Sequence, residues 1–356
     1  MTEVKRDCLY YRGDIPCKPH KKEGVHCSNC TYYTARAKRI LIIKLGAIGD
    51  VIRTTPLLTR LRSEYPHAEI VWLTDFPDVI PSDVDRVYTV DTKSIEILRQ
   101  TPFDIVYSLD KDREACAIAN TVSAKAKHGF ILDDGFCYPA DKKAEHKWLT
   151  GLFDDINREN KKSYPFEIFE MCGFEYHGEE YIVELSETRG WDLPGQGPVI
   201  GLNTGCGARW TTRLWPEKHW ADLSSRLITA GYRVVLLGGR QEDGTNTRIA
   251  EETGAIYPGY FPLPVFFSLV DQCDLVVTAV SMAFHVALGL GKKVVLFNNI
   301  FNPREFELFG RGTIIQPEMP CLGCFRGTCD KECMSRITSG RVFDAVKALQ
   351  KTHKTG

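Results

Sequence analysis

No stretch of this chain comes near the roughly 20 consecutive apolar residues that a membrane-spanning helix needs. Nor is there a surplus of basic charge. Lys and Arg number 45 against 46 Asp and Glu, a formal net charge of -1. Nucleic-acid surfaces normally show as a basic excess, so nucleic acid is not expected as a partner. The segment Met1 to Lys22 lacks the apolar core of a secretory signal, which predicts a cytoplasmic protein. A lipid-linked substrate leaves no transmembrane signature, so peripheral work at the inner face of the membrane stays open. There is no G-x-x-x-x-G-K-[ST], which argues against a P-loop NTPase. Hydrophobic residues at 43% and charged residues at 26% are ordinary for a folded chain and exclude wholesale disorder.

Cysteine, by contrast, is abundant. Of 13 Cys, four fall early (Cys8, Cys17, Cys27, Cys30) and four fall together near the end (Cys321, Cys324, Cys329, Cys333). Disulfides are rare in a reducing compartment, so two tight sets point to metal. The late set has thiols spaced x2, x4 and x3, with Gly323 and Gly327 to allow tight turns. It suits tetrahedral zinc or an iron–sulfur cluster. The early set is looser, with His20 and His26 as alternative ligands, and a shared site drawing on both ends is a third arrangement. Reduced, unligated thiols in surface loops are the competing reading. Cys116, Cys137, Cys172, Cys206 and Cys273 are scattered singly, as small core residues usually are.

At about 100–200 residues per domain, 356 residues predict two domains with a small appendage. Residues 1–37 are the Cys-rich, metal-binding appendage. From 38 onward, apolar runs alternate with helical segments: 39–45, 69–74, 86–90 and 104–109 read as strands. A Pro- and Gly-rich break runs from Leu193 to Pro198. A second alternating series follows, with strands at 199–203, 233–237, 275–278 and 293–297 and helices at 217–230 and 281–290. This predicts an α/β protein of two doubly wound, Rossmann-like domains facing a cleft, at 38–193 and 198–336, with a C-terminal helix over 337–356.

Four loops at strand ends carry candidate chemistry. Gly46-Ala47-Ile48-Gly49-Asp50 lets a ligand approach the backbone and places Asp50 where a strand gives way to a helix. That carboxylate reads either as a general base or as a helix N-cap. Asn203-Thr204-Gly205 opens a loop that carries Arg209 and Arg213, whose forked guanidinium groups match diphosphate oxygens. Gly239 and Glu242 follow another strand, and the acid suits ribose hydroxyls. Ser281, Met282 and Ala283 begin a helix whose free N–H groups favour an anion, with His285 one turn in. Each loop also has a plain structural reading. Together they describe a nucleotide on the second half and a carboxylate on the first.

The stretches IIKLGAIGDVIRTTPLL, LNTGCGARWTTRLWPEKHW, VVLLGGRQED and VVTAVSMAFHVALGLGKKVVLF resemble glycosyltransferase family 9, the ADP-heptose:lipopolysaccharide heptosyltransferases, from about Arg39 to Ile337. The resemblance implies a GT-B fold, a nucleotide-sugar donor on the C-terminal domain and a lipid-linked or surface-glycan acceptor. It further implies a bacterial source and inversion at the anomeric carbon with no catalytic metal, which leaves a structural role for zinc or an iron–sulfur cluster. By position, Asp50 would be the base, with Gly46, Ala47 and Gly49 forming the acceptor-side loop. Arg213 stands where the family usually has Lys, and Glu242 where its acid meets the ribose. Ser281, Met282, Ala283 and His285 match the phosphate-facing turn D-[ST]-x-x-x-H, but its leading Asp is Val280 here. That departure keeps two alternatives in view. One is a different nucleotide sugar used on a glycan or protein acceptor. The other is a non-catalytic, metal-bearing scaffold.

Overall fold

The computed structural model of the protein describes residues 3–351. The first two residues of the 1–37 segment and the last five of 337–356 lie outside the described residues. Two compact units form, each around its own sheet. The first comprises the chain up to Gly46, Thr55–Trp148 and Ile168–Glu175. The second comprises Ala47–Thr54, Leu149–Glu167 and the chain from Tyr176 onward.

The first sheet contains β1 (Lys38–Ile43), β2 (Ala68–Leu73), β3 (Arg86–Tyr88), β4 (Phe103–Ser108), β5 (Ala124–Asp133) and β6 (Phe136–Pro139), in the order β3-β2-β1-β4-β5-β6. All pairs are parallel except β5 with β6. Ile40–Ile43 and every residue of β2 are buried, as expected for parallel strands covered on both faces. One buried residue of β2 is charged. Glu69 is satisfied by Arg39 at 2.7 Å, Arg86 at 2.8 Å and Arg36 at 3.1 Å.

Arg36 belongs to the Cys-rich segment, and Tyr11 O of that segment accepts from Arg86 Nη2 at 3.4 Å. Residues 3–37 accordingly group with the first sheet and do not form a unit of their own. Their short helix, Lys18–Glu23, has Pro in its first turn and stops at Gly24, whose φ of 67° is left-handed and suits glycine.

The second sheet holds β7 (Val199–Asn203), β8 (Arg233–Leu237), β9 (Leu275–Ala279), β10 (Lys293–Phe297) and β11 (Gly312–Ile315), all parallel, in the order β11-β10-β9-β7-β8. Its core is aromatic at one end. Trp215 meets Trp220 edge-on at 4.7 Å, and both rings pack on Phe297. Trp220 lies on helix Glu217–Thr229, and the C-terminal helix Ser339–Lys351 seals the same core with Val342 and Val346. Strand order reverses beside β7, with β8 on one flank and β9 on the other. Loops leaving β7 and β9 diverge there, which opens the crevice where such sheets take ligands.

Candidate active site

The carboxyl ends of β7 and β9 are stitched together by Asn203. Its Nδ2 donates to Gly205 O at 2.8 Å and to Thr278 Oγ1 at 3.0 Å, and that hydroxyl lies 3.0 Å from Ser281 Oγ. Thr204 Oγ1 donates to Asn246 Oδ1 at 2.7 Å, which draws in the helix after β8. Asn203, Thr204, Gly205 and Ser281 are thus one hydrogen-bonded floor, contributed by two strand ends. Helix Met282–Gly289 rises from it with Ser281 as N-cap. The Ser281 side chain makes no capping bond, so the first-turn N–H groups of Met282 and Ala283 are not satisfied from that side.

Glu242 folds back over the same floor. Its Oε2 accepts from Gly239 N at 2.9 Å. A Cβ at position 205 would run into its carboxyl group, so Gly205 is needed for this close approach.

Arg213 is the buckle of the loop. It is buried, donates Nε to Trp210 O at 3.2 Å and Nη2 to Cys206 O at 2.7 Å, and bonds Val280 O through Nη1. Its fork therefore ties the 206–213 loop to the end of β9, and Val280 serves through its carbonyl. Burial pushes the Arg213 pKa down, and no carboxylate offsets this. Arg209, by contrast, is exposed.

The loop's outer side rests on the late cysteine segment. Thr212 Oγ1 donates to Arg326 O at 2.9 Å, and Asn299 Nδ2 reaches Thr212 O at 2.8 Å and Cys333 Sγ at 3.1 Å.

Asp50 sits on the five-residue helix Ile48–Ile52, within the second unit. Ala47 is its N-cap, so Asp50 is a first-turn residue and not the cap itself. Its side chain is 41% exposed. Gly49 lets this helix lie against helix Met282–Gly289: a Cβ there would stand 2.6 Å from His285 Cδ2. His285 is consequently buried. Burial first, and the Arg53 cation second, drive its pKa down to about 3, so the imidazole is neutral at physiological pH.

The loop entering this helix is anchored in the first unit. There the buried Lys44 pairs with Asp110 and donates to Gly46 O at 2.6 Å. Neither that pair nor Arg53, Tyr164, Tyr181 and Glu305 around Asp50 was anticipated from sequence. Asp110, Tyr164, Tyr181 and Glu305 come from distant segments and belong to no local motif, whereas Lys44 and Arg53 lie within the stretch IIKLGAIGDVIRTTPLL, where spacing did not single them out.

All thirteen cysteines are free thiols. Cys8, Cys17, Cys27 and Cys30 line one cavity of about 190 Å³ together with His20 and His26. Among the described residues no group of three or more His, Cys, Asp or Glu side chains is arranged to hold a metal ion, at either cysteine set. No helix among the described residues is long and apolar enough to cross a membrane.

The profile of glycosyltransferase family 9 (heptosyltransferase) matches residues 168–335. Lipooligosaccharide heptosyltransferase 2 of Haemophilus influenzae is 25% identical over 311 residues, which cover 78% of this chain and 88% of that protein. A glycosyl transferase family 9 structure from Veillonella parvula superposes with a TM-score of 0.68 at 19% identity, covering 89% of this chain and 98% of the other. The E. coli ADP-heptose lps heptosyltransferase II gives 0.66 at 18% identity, covering 89% and 100%. These likenesses establish the two-sheet α/β fold of the GT-B heptosyltransferase structures.

Proposed function

We propose, from the chain's likeness to glycosyltransferase family 9, that it is an inverting glycosyltransferase that moves a heptose from ADP-heptose to a lipopolysaccharide-type or related surface-glycan acceptor. The observation that carries this reading is the placement of Asp50. A half-exposed carboxylate is fixed on a helix that packs, through Gly49, against the helix rising from the nucleotide-type floor. The transition state gathers positive charge on the sugar ring and negative charge on the departing diphosphate. Asp50 takes the proton of the attacking acceptor hydroxyl. The N–H groups at Met282 and Ala283, with exposed Arg209, stabilise the diphosphate. Arg213 holds the loop in shape and lends its buried charge, while Glu242 and Gly239 face the ribose.

Asp50→Asn tests the base. Transfer of heptose should fall by about 10²–10⁴-fold, while ADP binding by calorimetry stays within twofold. Near wild-type turnover would refute the assignment. Side-by-side titration of ADP, UDP, GDP and CMP tests the donor. Val280, which replaces an acid, is the feature that favours a different nucleotide sugar, and selectivity for another nucleotide would discard the heptose. Binding of none would favour the non-catalytic scaffold.

The early cysteines carry a second part of the proposal, a structural metal centre. Four thiols around one cavity support it. Zinc and an iron–sulfur cluster are the two candidates for it. Iron, sulfide and zinc are to be measured on anaerobically purified protein, and absence of all three would end this reading. The proposal extends to work at the cytoplasmic face of the membrane, where a lipid-linked acceptor would be reached by peripheral contact.

A further inference from the structure

One turn beyond Asp50 lies an arginine with unusual surroundings. The Arg53 side chain is 7% exposed. Its Nη1 is 3.3 Å from Asp50 Oδ1, and its Nη2 is 3.8 Å from Glu305 Oε2. The guanidinium carbon sits 3.5 Å from the centroid of the Tyr164 ring, a close cation–π arrangement. Nε and Nη2 nonetheless make no hydrogen bond within the protein, and neither do buried Tyr181 Oη and His285 Nδ1 beside them. A buried cation short of hydrogen bonds is costly. Here two carboxylates and a ring face keep it charged. Burial lowers its pKa, but Glu305 and then Asp50 raise it further, and the net direction is up.

Among the described residues, titratable groups from several elements face this arginine besides Asp50. Glu305 comes from the turn Pro303–Glu305, Tyr164 from helix Tyr164–Cys172, Tyr181 from the extended chain after it, and His285 from helix Met282–Gly289. Burial raises the Tyr181 hydroxyl further above its ordinary value, so it stays neutral. His285 is held neutral. Arg53 is therefore a cation that acts on Asp50 from within the fold.

We propose that Arg53 is the positioning residue of the base, fixing both the direction of the Asp50 carboxylate and its ionised state. The proposal rests on the reading of Asp50 as the base. A cation beside a carboxylate favours the charged form by about 1–3 pH units. Without it, the Asp50 carboxylate would lose that bias toward its charged form. Tyr164 clamps the guanidinium plane, and Glu305 takes up the far side of the fork, so its near side is aimed at Asp50.

The test is the pH profile of kcat for Arg53→Met and Arg53→Lys, with ADP affinity measured beside it. Arg53→Met should move the acid limb upward by about one unit or more, cutting turnover on that limb about tenfold, with ADP affinity within twofold. Arg53→Lys should leave the limb in place and lower kcat only modestly, because the charge remains and the fork is lost. An unmoved acid limb in a folded Arg53→Met would overturn the proposal, and so would a loss confined to ADP affinity. Where a thermal melt shows that Arg53→Met does not fold, Arg53→Lys decides: a shifted limb in it refutes the role of charge. Failure of the base reading is separable, since it shows as turnover retained in Asp50→Asn.

Discussion

Two buried arginines in the second unit are used in opposite ways. Arg213 spends its donors on three main-chain carbonyls and meets no carboxylate, and burial lowers its pKa. Arg53 spends its charge on two carboxylates and an aromatic face and leaves two nitrogens without hydrogen bonds, and its pKa is raised. The first is a geometric device in which the fork matters. The second is an electrostatic device in which the charge matters. On the proposed roles, loop shape and the state of the Asp50 carboxylate are therefore controlled by separate residues.

Substitutions that remove the fork should break the comparison most sharply. Arg213→Ala strands the carbonyls of Cys206, Trp210 and Val280, each at a cost of about 1–3 kcal/mol if it stays buried. The 206–213 loop should lose its shape, and ADP affinity should drop more than tenfold in calorimetry. Arg213→Lys should lie between, since one ammonium cannot span carbonyls that a planar fork reaches. Should Arg213→Lys match wild type in affinity, the geometric role is wrong.

Next in size is Gly49→Ala, where the new methyl meets His285. Either the imidazole or the Asp50 helix must shift. A displacement near 1 Å can cost about 10²-fold in rate, so kcat should fall well beyond any change in ADP affinity. Equal losses in both would mean that the helix contact shapes the nucleotide floor and not the base.

The smallest effect concerns stability. His285 titrates near 3 in the folded protein and near 6.5 unfolded. Between those values the unfolded chain binds the extra proton. Stability therefore falls as pH drops through that window, by at most about 1.4 kcal/mol per unit from this group. His285→Gln should flatten the slope of urea-unfolding free energy between pH 6 and pH 4. An unchanged slope would show that other groups dominate acid unfolding.

Sequence reading located the parallel strands well, because runs such as Val199–Asn203 and Lys293–Phe297 are buried on both faces and end in turn residues. It passed over β5 and β6. Their Lys-containing residues 124–127 are half-exposed at the sheet's flank and carry no apolar run. The signal was elsewhere, in Asp134-Gly135, two residues with φ of 45° and 78° that make the hairpin turn. The donor-side loops were legible as loops, since glycines and small residues cluster after strands. What Arg213 does was not legible, because spacing reveals a guanidinium but not the carbonyls that meet it. Tyr164, Tyr181 and Glu305 were invisible for a related reason: only the fold brings three separate segments to Arg53, which lies three residues along the chain from Asp50.

Ala47–Thr54 packs with the second unit, although both of its chain neighbours belong to the first. For anyone building chimeras this makes the donor half a discontinuous cassette. A graft of residues 198–336 alone would carry the nucleotide floor but leave behind Asp50, Arg53 and the Gly49 contact with His285. A recipient would then supply its own base on a helix never fitted to the grafted one. Moving Ala47–Thr54 and Leu149–Glu167 together with the chain from Tyr176 onward transfers the proposed base and its counter-ion in register with the helix they were packed against.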